Sequence, residues 1–199
     1  LSSSSAASDV YKRQELDFPN LSMVGVDDRA AAYTAVDYLI RQGHRKIAVL
    51  GGPVTSYPSL MRRQGAQQAM EDAGIVFNDK LYGLSNYDFE SAYHAMNSLL
   101  ARRAEFTALF AMSDVIAFGA IRALVSAGLR VPEDVSVIGF DGITMSRYCV
   151  PVMTTIVQPS EQIALQSIEL LVRQIEHGSP AQTVTLQPEL QQGESVRAI

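Results

Sequence analysis

Asp141 stands where a charged side chain is hard to explain by packing alone. It follows residues 135–140, which are apolar almost without alternation and therefore predict a strand that is covered on both faces. Open parallel sheets bind ligands beyond the carboxyl ends of their strands, and a carboxylate there can accept hydrogen bonds from two sugar hydroxyls. The alternative is a carboxylate that caps the turn at 142–145. We take ligand contact as the better interpretation.

Two arginines, Arg62 and Arg63, fall near the beginning of a predicted helix. Cations there are mildly unfavourable for the helix dipole, so another reason for them is needed. The planar fork of guanidinium donors suits vicinal hydroxyls or a carboxylate. For Arg63 we favour a solvated or ion-paired side chain, and for Arg62 ligand contact is the other possibility. Arg62 and Asp141 should then face one cleft at the carboxyl side of one sheet.

Polar residues at two other strand ends are further candidates for this cleft. Asn86 and Tyr87 end a strand before a helix, and Tyr87 could either stack on a flat ring or sugar face or cover the sheet edge. Ser113 and Asp114 open a helix. A simple N-cap also explains them, and that role is compatible with a place at the cleft.

Asp27 and Gln158 complete the set of candidate site residues. Asp27 ends a strand where a helix begins, so capping is its simpler role, although ligand contact stays open. Gln158 follows a predicted crossover, where a cleft contact and a hinge hydrogen bond are both open.

Other chemistries lack the residues that they need. His44, His94 and His177 share no metal-ligand spacing, and Cys149 carries no nucleophile signature. The segment Gly51-Gly52-Pro53 lacks the lysine and the spacing of a Walker loop. We therefore expect no metal, no cofactor and no enzymatic activity.

The composition is that of an ordinary globular protein, with 199 residues, 47% of them hydrophobic and 19% charged. A net charge of −5 argues against direct binding of this chain to the phosphate backbone of a nucleic acid. No apolar stretch approaches the roughly 20 residues that span a bilayer. A single cysteine fits a reducing cytoplasm.

The elements that must position these side chains alternate along the chain. Helices are predicted to begin near Asp28, at caps Ser59, Asp88 and Ser160, and near Asp114. Strands that alternate with helices imply a mostly parallel sheet with right-handed crossovers. The predicted strands are 22–26, 46–51, 82–86, 107–112, 135–140, 155–157 and, as the last one, 183–186.

Three blocks, in order and in spacing, carry a family resemblance. They read GHRKIAVLGGP at 43–53, GLRVPEDVSVIGFDG at 128–142 and TTIVQP at 154–159. With them the chain, from about Asn20 to its end, resembles the effector-binding core of the lactose-repressor/galactose-repressor (LacI/GalR) family of bacterial transcription regulators.

The resemblance implies an α/β, periplasmic-binding-protein-like (type I) fold with two parallel-sheet lobes hinged around the effector, one nearly complete and the other partial. Residues 15–44 would form the partial N-terminal lobe, 45–158 the C-terminal effector-binding lobe, and 159–180 a helix returning to the N-terminal lobe. Residues 181–199 would be a final strand and tail, with the strand near Val184 in the larger lobe. The chain would be N-terminally truncated, so the apolar faces of helices 28–42 and 160–178 should be unusually exposed. Residues 1–14, serine-rich and aperiodic, are interpreted as non-native or, alternatively, disordered.

The resemblance also bears on single residues. Arg62 and Asp141 match positions that contact the effector in the family, and Tyr87 matches a common aromatic. Family members commonly carry an acid where Asn86 stands and often an asparagine where Ser113 stands. Those two departures weaken the contacts expected of Asn86 and Ser113.

The function implied is the effector-sensing and dimerisation domain of a DNA-binding transcriptional repressor in the cytoplasm. Its partners would be a small-molecule effector (a sugar, nucleoside or related compound), further copies in a homodimer or tetramer, and operator DNA through a helix-turn-helix headpiece absent from this chain. Tyr87 and residues 27–32 favour a nucleoside or a pentose. A periplasmic sugar-binding protein of a transport system and a Rossmann-like enzyme are the alternatives, and no membrane partner is expected.

Overall fold

Strands and helices alternate along the computed structural model, which describes residues 21–199. The interpretation of residues 1–14 lies outside that range. The strands are β1 Met23–Val26, β2 Ile47–Gly51, β3 Tyr82–Leu84, β4 Ala108–Ala111, β5 Ser136–Asp141, β6 Thr154–Val157, β7 Thr183–Leu186 and β8 Glu189–Gln191. The helices are α1 Asp28–Arg41, α2 Tyr57–Asp72, α3 Phe89–Ala101, α4 Asp114–Ser126 and α5 Ser160–His177. Short 3-10 turns cover Asp79–Leu81 and Thr144–Arg147.

Most of the strands form one six-stranded sheet in the order β3-β2-β4-β5-β6-β8. All neighbours in it are parallel except β8, which runs antiparallel to β6. Strands β2 and β4 are buried along their whole length, as a sheet covered by helices on both faces requires. The predicted α/β fold with a mostly parallel sheet is confirmed.

The last two strands correct the sequence-based division of the chain. Strand β7 pairs in parallel with β1 in a separate two-stranded sheet, with Val184 opposite Val24. The assignment of the strand near Val184 to the larger lobe is therefore wrong. The larger sheet instead gains β8, which the sequence reading missed. Pro188, which has no amide hydrogen to donate, separates the two strands.

Helix α1 also lies in a different place from the one expected. Its apolar face is fully buried, including Leu39 at 0% and Ile40 at 8% exposure, and the helix packs on α2 and the large sheet. Its assignment to the partial lobe, and the expected exposure of that face, are wrong. Helical periodicity shows that a face is buried but does not show which sheet buries it.

Helix α5 behaves as expected, because its apolar face is largely uncovered. Leu171, Val172 and Ile175 are 56%, 42% and 75% exposed, and Leu170 is the only residue of this helix that is buried. The helix contacts β1.

No helix among residues 21–199 is long and apolar enough to cross a membrane.

Two helix caps differ from those that were predicted. Helix α2 is capped by Ser56, whose hydroxyl accepts from the amide of Ser59 at 3.4 Å, so the cap lies three residues before the predicted one. Proline in the first turn explains the early start, since its fixed φ suits that position. Helix α5 has Pro159, without a side-chain bond, where a Ser160 cap was predicted.

Helices α1 and α2 cross at Gly65, which permits a very close approach. A Cβ atom built there would lie 2.0 Å from the carbonyl oxygen of Arg29 and 3.0 Å from the amide nitrogen of Tyr33. Both are backbone atoms of α1, so relief requires the helices to separate.

Gly65→Ala should therefore lower the free energy of unfolding by about 1–3 kcal/mol, because overpacking outweighs the gain in helix propensity of about 1 kcal/mol. Urea denaturation measures the change, with Gln67→Ala on the same helix as a control expected to stay within about 0.5 kcal/mol. A Gly65→Ala protein more stable than the native one would show that this crossing is not tight.

Candidate functional site

Arg62 and Asp141 meet at the carboxyl end of the large sheet, although 79 positions separate them. Asp141 is the last residue of β5, and Arg62 lies in the second turn of α2. The Arg62 Nη1 atom is 3.5 Å from Asp141 Oδ1. Arg62 is only 6% exposed, so its charge is compensated mainly by the protein.

Three further groups surround the guanidinium of Arg62. Its Nε donates to Asp28 Oδ1 at 2.7 Å, and its Nη1 donates to the carbonyl oxygen of Met112 at 2.5 Å. The guanidinium carbon lies 3.7 Å from the centre of the Phe140 ring, within cation–π range. Sequence reasoning did not assign Asp28, Met112 or Phe140 to the site.

Asp141 is oriented by Gln158 as well as by Arg62. The Gln158 side-chain amide donates to Asp141 Oδ1 at 2.8 Å, and its backbone amide donates to the Asp141 carbonyl at 3.0 Å. Gln158 lies where the chain leaves β6 for α5, and the hinge role and the ligand contact weighed for it both stay predictions. Burial raises the pKa of Asp141, and the guanidinium of Arg62 opposes that rise.

The backbone at Asp141 is held in an unusual conformation. Its φ is +111°, in a region that side-chain-bearing residues seldom adopt, and the following Gly142 has a φ of +70°. A Cβ atom on Gly142 would lie 2.7 Å from the Cα of Val157, so only glycine fits beside β6. Strained backbone of this kind costs roughly 1–3 kcal/mol and clusters at ligand sites.

Two groups at this site remain available to a ligand. Among residues 21–199, no group accepts from Arg62 Nη2, and none donates to Asp141 Oδ2. The first offers hydrogen-bond donors and the second an acceptor. A cavity of about 390 Å³ is lined by Gly142, Gln158 and the start of α5, and neither Arg62 nor Asp141 is among its lining residues.

Asp114 hydrogen-bonds the backbone next to Asp141. Its Oδ1 accepts from the Thr155 hydroxyl at 2.6 Å, and its Oδ2 accepts from the Ile143 amide at 2.8 Å. Both oxygens are thus used within the fold, and the residue is completely buried. Burial raises its pKa to about 6, against the opposing effect of these hydrogen bonds.

Ser113 and Asp27 act as helix caps. The Ser113 hydroxyl accepts from the amide of Ile116 at 3.1 Å, and Asp27 Oδ1 accepts from the amide of Ala30 at 2.9 Å. The capping roles weighed for both residues are confirmed. Contact with a ligand stays a prediction for each of them.

Tyr87 lies at the sheet edge with its ring against the backbone of Gly52. Its φ is +60°, and its buried hydroxyl has no partner within residues 21–199. An unmet hydroxyl costs about 1–3 kcal/mol, which a ligand or a water molecule would relieve. The neighbouring Asn86 is exposed, and its backbone amide donates to the Ser91 hydroxyl at 2.9 Å.

The residues set aside as structural have internal partners. The buried His44 ring lies 2.9 Å from the Thr107 hydroxyl and 3.1 Å from the Arg197 carbonyl oxygen, and burial lowers its pKa. Cys149 contacts two carbonyl oxygens of its own loop. Residues 21–199 contain no cluster of three histidine, cysteine or acidic side chains suited to a metal ion.

Comparison with known proteins agrees with the fold. A family model described as a periplasmic binding protein-like domain matches residues 36–196. The repressor PurR of Histophilus somni is 35% identical over 181 residues, covering 90% of this chain and 54% of PurR. The repressor CytR of Escherichia coli is 38% identical over 162 residues, covering 81% of this chain and 47% of CytR. The chain spans about half the length of these curated relatives.

Solved structures of transcriptional regulators also have the same fold as this chain. The transcriptional regulator CelR in complex with cellobiose superposes with a TM-score of 0.85 at 33% identity, covering 89% of this chain and 54% of CelR. A LacI-family regulator from Enterococcus faecium with bound ribose has a TM-score of 0.81 at 28% identity, covering 89% of this chain and 66% of its own. The chain belongs to the periplasmic-binding-protein-like domain family, as an effector-binding core of the LacI/GalR type.

The raised pKa of Asp114 makes a prediction for stability. Because the folded-state pKa of about 6 exceeds the ordinary value of 3.8, the unfolded chain ionises first as the pH rises. The free energy of unfolding is therefore highest, as far as Asp114 determines it, below pH 3.8. It falls as the pH rises from 3.8 to about 6, by an amount on the order of 3 kcal/mol. Asp114→Asn should remove this dependence, so its stability relative to the native protein should rise between pH 4 and pH 7.

Urea titrations at several pH values in that window measure the difference. Asp134→Asn is the control, because Arg130 lowers the pKa of Asp134 to about 2, below the window. A constant difference between the native protein and Asp114→Asn from pH 4 to pH 7 would contradict the assignment.

Proposed function

We propose that this chain is the effector-sensing core of a DNA-binding transcriptional repressor. Its relatives PurR and CytR are named as helix-turn-helix transcriptional repressors. The observation that carries the proposal is the pair of open groups on Arg62 and Asp141. They lie at the sheet edge where ligands bind in such folds, beside two segments that connect the large sheet to other elements.

Those connections suggest how binding is transmitted. Asp28 begins the helix that follows β1 of the small sheet, and Gln158 precedes α5, which contacts β1. Both segments bond to the Arg62–Asp141 pair. An effector that binds these groups more tightly in one arrangement of the two sheets shifts the protein towards that arrangement.

DNA contact belongs, in this proposal, to a helix-turn-helix headpiece outside these 199 residues. The acidic net charge of −5 suits a sensing domain better than a DNA-binding one. We further propose a cytoplasmic homodimer or tetramer, because paired headpieces match palindromic half-sites. No catalytic role forms part of this proposal.

The effector is proposed to be a sugar or a nucleoside. Adjacent hydroxyls satisfy a donor and an acceptor that lie side by side, and the buried hydroxyl of Tyr87 has no partner within residues 21–199. Cellobiose and ribose in two related structures fit that chemistry. Operator binding by the full-length protein, measured by fluorescence anisotropy against a panel of sugars and nucleosides, tests the proposal. If no compound changes the operator affinity, the proposal fails.

Asp141→Ala and Arg62→Ala should weaken binding of the active compound by about 1.5–3 kcal/mol, roughly 10- to 150-fold, because each removes a charge-assisted hydrogen bond. Operator affinity without the compound should change little. Arg62→Ala also leaves Asp28 without its partner and should lower stability, so Asp141→Asn serves as the gentler variant.

Calorimetric titration of the full-length variants measures the affinity, with a thermal melt for each. Arg63→Ala is the matched control, since its neighbouring guanidinium contacts Asp79 and Tyr82 away from Asp141. Equal affinity in native, Asp141→Ala, Asp141→Asn and Arg62→Ala proteins would remove these residues from the site.

A further inference from the structure

Asp28 is the closer of the two carboxylate partners of Arg62. Its Oδ1 lies 2.7 Å from Arg62 Nε, whereas Asp141 Oδ1 lies 3.5 Å from Arg62 Nη1. The side chains of Arg62 and Asp28 are 7% and 17% exposed, so the contact is shielded from solvent. An ion pair in such surroundings is screened far less than one on the surface.

The side chain of Asp28 is not needed to cap its own helix. Asp27 already caps α1 through the amide of Ala30. Asp28 instead turns towards Arg62 and takes the single donor on Nε. The Nη2 atom of the guanidinium is therefore left without a protein acceptor in residues 21–199 and can donate to a ligand.

The charged side chains around Arg62 Nη2 have an excess of negative charge. One guanidinium faces two carboxylates, so the three side chains together carry a net charge of −1. Asp28 also raises the pKa of Asp141 through its negative charge. A phosphate or carboxylate ligand placed between Arg62 Nη2 and Asp141 Oδ2 would therefore meet little net attraction.

A hydroxyl group suits the same position because it both accepts and donates. It can accept from Arg62 Nη2 and donate to Asp141 Oδ2, whereas a fully ionised oxyanion can only accept. The geometry thus favours hydroxyl groups at a guanidinium that, if isolated, would prefer an oxyanion.

We propose that Asp28 is a specificity-determining residue, which neutralises Arg62 and so restricts the site to uncharged, hydroxyl-bearing effectors and excludes phosphorylated ones. It acts through Arg62 and is a positioning residue. The inference rests on the proposed small-molecule site but not on the identity of the effector or on DNA binding.

Asp28→Asn tests the charge alone, since asparagine keeps an oxygen acceptor for Arg62 Nε at nearly the same size. The matched control is Asp37→Asn, which removes one carboxylate from the same helix, where it pairs with Arg41 at 2.7 Å on a more exposed face. Both are made in the full-length protein and titrated calorimetrically with inorganic phosphate. Phosphate should bind Asp28→Asn at least about tenfold more tightly than the native protein or Asp37→Asn.

Two further measurements connect any gain to this site. Adding Arg62→Ala to Asp28→Asn should abolish the gain in phosphate affinity. Carboxyl NMR should show a lower pKa for Asp141 in Asp28→Asn than in the native protein, because a neighbouring negative charge has gone. If Asp28→Asn does not fold, Asp28→Ser removes the same charge and should give the same changes.

The proposal is overturned if phosphate affinity does not rise, if it rises equally in Asp37→Asn, or if it survives loss of Arg62. An unchanged pKa of Asp141 also overturns it. These outcomes need no effector and no operator, so they differ from failure of the proposed function, which appears as an operator affinity that no compound changes.

Discussion

The site depends on a guanidinium that is buried almost completely. A charged group in that position is stable only if the protein supplies its hydrogen bonds and its counter-charge. Arg62 obtains them from Asp28, the Met112 carbonyl and Asp141, and it stacks on Phe140. These groups come from α1, from the end of β4 and from β5, so the arginine fixes three separate parts of the chain around one point.

The fold brings these parts together because parallel strands end at the same edge. Helix α2 must lie close to α1 for Arg62 to reach Asp28, and Gly65 permits that approach. Asp114 and Thr155 secure the loop after Asp141, while Gln158 fixes the carboxylate itself. The groups left open on Arg62 and Asp141 are therefore held before any ligand arrives, which reduces the cost of binding.

Local pattern in the sequence predicted much of this arrangement. The apolar run before Asp141 and the caps Asp88 and Ser113 report local conformation, and all three are present. The pairing of β7 with β1 and the packing of α1 on the large sheet depend on distant partners. A buried face has the same periodicity whichever sheet covers it, so those two assignments could not be made from pattern.

Asp28 escaped sequence reasoning for a similar reason. An acidic residue in the first turn of a helix is already explained by the helix dipole, so nothing local pointed to Arg62, 34 positions away. Asp141 was found because a charge at the end of a buried strand is poorly explained by packing, whereas Arg62 was distinguished from Arg63 by the family resemblance. Asp114 and Ser113 were found as well, but both make hydrogen bonds that stabilise the fold around the site.

A crystal structure of the full-length protein with a compound that changes its operator affinity tests the central claim most directly. The account predicts hydroxyl groups of that compound within hydrogen-bond distance of Arg62 Nη2 and Asp141 Oδ2, with the contact between Asp28 and Arg62 intact. A compound bound elsewhere, for example in the cavity of about 360 Å³ lined by Arg45 and Asn78 near the amino ends of the strands, would contradict it. So would a bound compound whose charged group displaces Asp28 from Arg62.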